Sequence, residues 1–425
     1  MARVETLKGK FDGNDKWLGG VASPCGRYIY GVPGHAQRVL RITVETGVCD
    51  LIGPKFPGKF KWLRGVAVPA DKCSPARPQG LVFALPCCAA GVLQIDPATQ
   101  EVTVLPCEKG SFAWHGGELG ADGRIYGVPA NAEKVLVIDP VTSEVSYVGG
   151  PFPGRQKWYG GILAANDCMY CIPHMATGVL KVDTRDGSCE VFGSLPEGGW
   201  KWHGGSPDRA RTTVYGFPNN ADSVLKVDVA TDAIELLPGA LQSGRHRVPQ
   251  DHKYKWLGGA VARDGNLYCF PCDAERVLRI DTETRAVSTV GPDFFFPLAD
   301  YPLPRTAPKA ASNASGMNVS MSVNKWQNGF VLEDGAVYGI PQRARGVLRL
   351  LPAPEADGEP EVTLLDCGQA DHPIDLFEGG VLGSDGCMYC IPLRGRSVVK
   401  VVPDRAPDSW FPETKRWLAA LGVGG

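Results

Sequence analysis

The sequence has no apolar run approaching the roughly 18 residues of a membrane-spanning helix, and its charges nearly cancel, with 44 Lys and Arg against 46 Asp and Glu. The first absence argues against a membrane span. The second argues against a nucleic-acid binder, whose phosphate contacts need a positive excess. The start, Met1-Ala2-Arg3-Val4-Glu5-Thr6-Leu7-Lys8, lacks the apolar core of a secretory signal. A soluble protein of the cytoplasm or another intracellular compartment is therefore expected. Long helices are scarce as well, because 53 glycines and 35 prolines punctuate the 425 residues.

Fourteen cysteines are present, but they are diluted in a chain long enough to bury its own core, so reduced thiols are expected rather than a disulfide framework. Three CxxC pairs, Cys168/Cys171, Cys269/Cys272 and Cys387/Cys390, have a spacing found in zinc sites. Cys168-Met-Tyr-Cys171 and Cys387-Met-Tyr-Cys390 read as strand, however, where residues three apart face opposite ways. Moreover Cys171, Cys269 and Cys390 stand where other copies of the segment carry glycine. Small buried side chains are the expectation, with no metal and no cofactor.

What the chain has in abundance is repetition. A unit of the form Lys-Trp-x-Gly-Gly, Tyr-Gly-x-Pro, Val-Leu-x-Ile-Asp occurs eight times, its prolines falling at Pro33, Pro86, Pro129, Pro173, Pro218, Pro271, Pro341 and Pro392. Four β-rich runs fill each unit, seen in the third copy as 114–119, 125–128, 135–138 and 144–148. Asp-Gly pairs at Asp122, Asp264, Asp334 and Asp385 supply hairpin turns between the first two runs. Four strands per repeat of roughly 40–50 residues mark a β-propeller blade. The eighth copy stops after its third strand near Val402, and the only spare strand is Arg3 to Leu7. The expected fold is all-β: an eight-bladed propeller of four-stranded antiparallel blades over 1–403, closed by the N-terminal strand in the last blade. A tail, 404–425, carries a short amphipathic helix with Trp417.

In its blade pattern the chain resembles the broad group of NHL, gluconolactonase-like and virginiamycin B lyase-like propellers, departing from them in its Lys-Trp-x-Gly-Gly signature. That resemblance implies the architecture. The group spans enzymes, sensors and scaffolds, so it implies no activity.

Recurring residues divide into structural and binding candidates. Trp17, Trp62, Trp114, Trp158, Trp202, Trp256 and Trp326, with Phe377 in the eighth copy, either fill the space between blades or present a ring of sugar-stacking platforms. Lys16, Lys61, Lys157, Lys201, Lys255 and Lys325 precede six of these aromatics. They either snorkel over the rings with their ammonium in water or attract an anionic ligand at one mouth of the channel. Departures from the repeat cluster on that same face. Insertions at 239–254 and 292–324, the latter with Phe295, lie between blades there. Arg38, Arg343, Arg345, Arg394 and Arg396 make a candidate basic patch for carboxylate or phosphate. His115 and His203 share the place after the Trp in copies three and five, but no set of His and carboxylates converges in the sequence as a catalytic centre would. The first reading is thus a non-enzymatic binding module or scaffold in a larger assembly, with a protein partner, no nucleic acid and no membrane span. The second is a small-molecule-binding enzyme, of lyase or hydrolase type, with its site at the channel mouth and an anionic ligand. The third is a multivalent lectin.

Overall fold

The computed structural model describes residues 1–239, 241, 254–294, 324–354, 358–368 and 375–404. Phe295, Trp417, the tail helix and most of both long insertions lie outside the described residues. Eight four-stranded antiparallel sheets form the ring. Blade one is Trp17–Ala22, Tyr28–Pro33, Val39–Thr43 and Cys49–Ile52, and each later blade repeats that order outward from the axis. Blade eight takes Phe377–Leu382, Met388–Pro392 and Val399–Val402 from the end of the chain and Arg3–Thr6 from its beginning. Arg3 pairs with Val402 and Thr6 with Val399, so the ring is closed by hydrogen bonds within one sheet. A 3₁₀ turn at Ala70–Lys72 is the helical element among the described residues, and no helix there is long and apolar enough to cross a membrane.

The turn residues hold the blades in register. In each Asp-Gly hairpin the aspartate accepts the backbone N–H two residues on, as Asp122 does from Arg124 at 2.9 Å. Its other oxygen takes the hydroxyl of the buried second-strand tyrosine: Tyr126 to Asp122, Tyr268 to Asp264, Tyr338 to Asp334 and Tyr389 to Asp385, all at 2.7–2.8 Å. No disulfide ties this scaffold together, since all fourteen thiols are free.

The repeated aromatics are core. Trp17, Trp62, Trp114, Trp158, Trp202, Trp256 and Trp326 are at most 3% exposed and Phe377 is fully buried. Each indole N–H donates to a carbonyl at the start of the third strand of its own blade, for example Trp62 to Gly91 at 2.7 Å and Trp326 to Gly346 at 2.9 Å. These faces are closed to a sugar, which removes the basis of the lectin reading.

The lysines correct the sequence reading further. All six are 0–6% exposed, with the ammonium in neither water nor the channel. Lys157 donates to Ala130 and Ala132 of blade three and to Gly154 of its own entry loop at 2.9–3.1 Å. Lys61 does the same with Gly34, Ala36 and Gly58, and Lys201 with His174, Ala176 and Gly198. Lys16 reaches Leu393 across the ring closure, Lys255 reaches Ala221, and Lys325 reaches Ala274. Each lysine therefore ties its blade to the preceding one through backbone carbonyls. Where the lysine is missing, buried Ala113 and Leu376 occupy its place. Burial lowers Lys16, Lys61, Lys157 and Lys201 to about 8, which still leaves them charged at neutral pH. Replacing Lys157 by Met keeps the stem but strands three carbonyls. It should cost about 2–3 kcal/mol, read as a fall in the urea midpoint; an unmoved midpoint would show that the carbonyls do not depend on the ammonium.

Candidate functional site

Eight first strands surround the axis, and each carries a β-bulge just after its aromatic residue. The residue two after the aromatic is left-handed in every blade, with φ between 57° and 83°. Glycine holds this place in six blades because φ is positive, and in blade six because neighbours crowd it as well: a Cβ on Gly258 would lie 2.5 Å from the backbone N of Asn328. The exceptions are Arg64 in blade two, φ 57°, and Asn328 in blade seven, φ 59°. Both side chains enter the channel, where an Arg64 guanidinium N–H donates to Asn328 Oδ1 at 3.1 Å. Non-glycine residues in this conformation are a form of backbone strain that concentrates at functional sites.

Around this pair lies a cavity of about 380 Å³. Its polar lining is Arg64, Asn328, Gln327, Glu378, His115 and His203, and its apolar lining includes Leu18, Leu63 and Leu257. Channel water reaches the Arg64 side chain, yet protein rings it on every side. That desolvation lowers the guanidinium pKa, against the pull of Glu378 and Glu118. Glu378 rises to about 7, chiefly through burial, offset by Arg64 and a hydrogen bond with Gln327. Gln342 Nε2 also donates to Glu378 at 2.7 Å, and the Asn324 amide donates in turn to Gln342 Oε1. Glu118, further along the channel, rises to about 7 by burial against Arg211 and Arg64. Two carboxyl groups near their midpoints thus share one fixed cation.

The opposite wall is aromatic. His115 stacks on Tyr159 with centroids 4.1 Å apart, Tyr159 on His174 at 4.3 Å, and His203 meets all three rings edge-on at 5.0–5.4 Å. Burial, with Arg64 adding to it, lowers His115 to about 3, and burial likewise holds His203 well below its usual value. Both imidazoles are neutral at pH 7, and the Nδ1 of each is buried without a hydrogen-bond partner. His174 Nδ1 is engaged with the Trp202 carbonyl at 2.9 Å. Among the described residues no three His, Cys, Asp or Glu side chains gather as metal ligands.

A second ring crowns this cavity. The residue two before each aromatic is also left-handed in all eight blades, with φ between 31° and 53°. Its backbone is dictated by the fold, because its carbonyl accepts an N–H from the loop after the blade's proline, as Asp15 does from His35 at 2.9 Å and Tyr254 from Asp273 at 2.9 Å. Its side chain is not: Phe60, Phe112, Trp200 and Tyr254 sit on the aromatic side, and Asn324, Asp375 and Asp15 on the polar side.

The arginine patch is largely neutralised at this rim. Arg343 pairs with Asp375 at 2.9 Å, Arg394 with both Asp15 and Asp375 at 3.2 and 3.5 Å, and Arg396 with Asp12 at 3.2 Å. Arg38 and Arg345 are exposed. The acids that answer these arginines come from the strand-entry segments, Asp15 and Asp375 from the same place in adjacent blades one and eight. Arg64, Asn328, Gln327 and Glu378 were likewise missed among the candidate residues. Their signal was present: Lys61-Trp-Leu-Arg64-Gly65 and Trp326-Gln-Asn328-Gly329 break the repeat at its first glycine.

No protein-family model matches the chain, and no curated protein does. Among solved structures it is similar to one described as a streptogramin B lyase, with a TM-score of 0.53 and 13% identity over 95% of this chain and 98% of that one. It is also similar to catalytically inactive virginiamycin B lyase from Staphylococcus aureus with quinupristin, with a TM-score of 0.52 and 12% identity over 77% and 92% of the two chains. The chain is an eight-bladed β-propeller whose blades are like those of virginiamycin B lyase-like propellers. At such identities the likeness is one of fold.

If Arg64 and Asn328 are strained for function, restoring the repeat's glycine should stabilise the protein. Arg64→Gly is expected to gain about 1 kcal/mol and Asn328→Gly less, since Asn tolerates the left-handed region best. The urea midpoint checks this, and a loss of stability in Arg64→Gly would show that the guanidinium contributes more to folding than its backbone costs.

Proposed function

We propose that this propeller binds a small organic acid in its channel mouth, which favours the second of the sequence readings over a scaffold that docks a protein on its arginine patch. The observation that carries it is Arg64, a guanidinium placed in the channel at a left-handed position that six other blades give to glycine. A carboxylate there would take the guanidinium donors left by Asn328, charge-assisted bonds that gain strength away from bulk water. Leu18, Leu63 and Leu257 offer an apolar wall to the rest of the molecule, beside the His115 and His203 rings that line the same cavity. The paired state of Arg343, Arg394 and Arg396 weakens the patch as a docking surface for an acidic protein.

Calorimetric titration of the purified protein with benzoate, other small carboxylates and their neutral amides tests the reading. The carboxylates should bind and the amides should not, and Arg64→Gly should abolish binding while the protein stays folded. Equal binding by Arg64→Gly would sink the proposal. The pH dependence has a defined sign. Glu378 and Glu118 are raised to about 7, so below pH 7 they are mostly neutral and leave Arg64 to the ligand; above it they are carboxylates that compete for Arg64 and repel an anion. Affinity should fall roughly tenfold from pH 6 to pH 8, the equivalent of about one pKa unit of interaction, and Glu378→Gln should flatten much of that slope.

A further inference from the structure

In each first strand the residue directly after the buried aromatic stands beside the channel, and seven of these eight line its cavity. Blades one, two and six place Leu18, Leu63 and Leu257 there, so the frame asks for no ring at this point. Blades three to five nonetheless carry His115, Tyr159 and His203 in succession. Tyr159 lies between His115 and His174, parallel to both within 10°, and the two cover its faces. His115 ends the column. Tyr159 covers one of its faces, His203 meets it edge-on at 77°, and no ring of the described residues lies against the other face. It is also the member of the column that lines the cavity. At the rim above it, Phe112 of blade three is 38% exposed, and its ring is 5.6 Å from that of Phe60.

The cation stands on the far side. Arg64 leaves blade two, but its guanidinium donates to Asn328 of blade seven, and its Cγ passes 3.6 Å from where a Cβ on Gly19 of blade one would lie. Blades three to five face blades seven, eight and one across the axis of an eight-bladed ring, so a carboxylate held by Arg64 has the His115 column opposite it. We propose that the channel ligand is a flat aromatic carboxylic acid, its carboxylate on Arg64 and its ring stacked on the open face of His115. This inference rests on the carboxylate reading above and narrows it to aryl acids. Offset stacking adds to the burial of the ring's surface and favours a planar π face over a puckered ring of similar size. The cavity of about 380 Å³ is of the size that small organic ligands occupy. Burial, with Arg64 adding to it, holds His115 at about 3, so the imidazole is uncharged at neutral pH and leaves the carboxylate to the guanidinium.

Calorimetry of the full-length protein compares benzoate with cyclohexanecarboxylate, which keeps the carboxylate and the size but lacks a flat π face. Benzoate should bind roughly fivefold tighter, and its ring protons should move upfield in the NMR spectrum on binding, as they enter the shielding region over the imidazole. His115→Leu, which copies Leu63 of the neighbouring blade, should bring the two affinities together and remove the upfield shift, with circular dichroism showing the ring intact. Should that variant not fold, the wild-type ratio and the ring-proton shift decide. Equal binding of the two acids, lost in Arg64→Gly, would leave the carboxylate reading standing and overturn the aromatic one. So would a preference for benzoate that His115→Leu leaves unchanged. Binding of neither acid would overturn both.

Discussion

The whole ring depends on how closely eight first strands can approach one axis. Each presents an unpaired backbone edge to the channel, and each takes a left-handed bulge immediately after its buried aromatic residue. A Cβ on Gly160 would sit 3.2 Å from the Gly204 Cα, tighter than ordinary contact, whereas one on Gly204 would meet nothing within 4 Å, so it is the left-handed backbone that favours glycine around the ring. What replaces glycine at this place distinguishes two blades from the other six. Arg64 and Asn328 fit because their side chains leave along the open channel, and they meet one another there.

The second constraint is how neighbouring sheets are held face to face. Tryptophan fills the space between blades and satisfies its indole N–H within its own blade, while the preceding lysine reaches back to the carbonyls of the blade before. A buried ammonium is costly unless its donors are used. Three carbonyl acceptors on Lys61, Lys157 and Lys201 meet that requirement without any carboxylate, which explains why no acidic residue recurs beside the lysines. The Lys-Trp signature is thus a stitch between consecutive blades, and its omission at Ala113 and Leu376 shows that apolar packing can stand in for it.

Against so regular a frame, the mouth is lopsided. Its backbone follows eight-fold rules even at the left-handed residues that crown it, yet the side chains divide into an aromatic arc, mostly blades two to six, and a charged arc over blades seven, eight and one. Under the proposed function, that division would orient the ligand, with an apolar or flat part toward one arc and an acidic group toward Arg64. The neutral imidazoles of His115 and His203 belong to the aromatic arc because burial and the nearby guanidinium keep protons off them. Glu378 belongs to the charged arc because Gln342 anchors it through a chain of amides that begins at Asn324.

Local pattern determined the architecture almost completely. Repeat spacing, alternating apolar residues, Asp-Gly turns and a spare strand at Arg3 each report on neighbours a few residues apart, and together they required eight blades and closure by the N-terminal strand. The importance of the aromatic-plus-lysine unit was legible too, but its meaning was not, because whether an ammonium faces water, a ligand or a carbonyl is settled by the blade next door. The candidate site was legible only as broken consensus at Arg64 and Asn328. That they touch, that Glu378 joins them, and that Asp12, Asp15 and Asp375 neutralise Arg396, Arg394 and Arg343 are facts about residues as much as 384 positions apart. Closing the ring brings such residues within hydrogen-bond reach, and only the tertiary structure can say which side chains then meet.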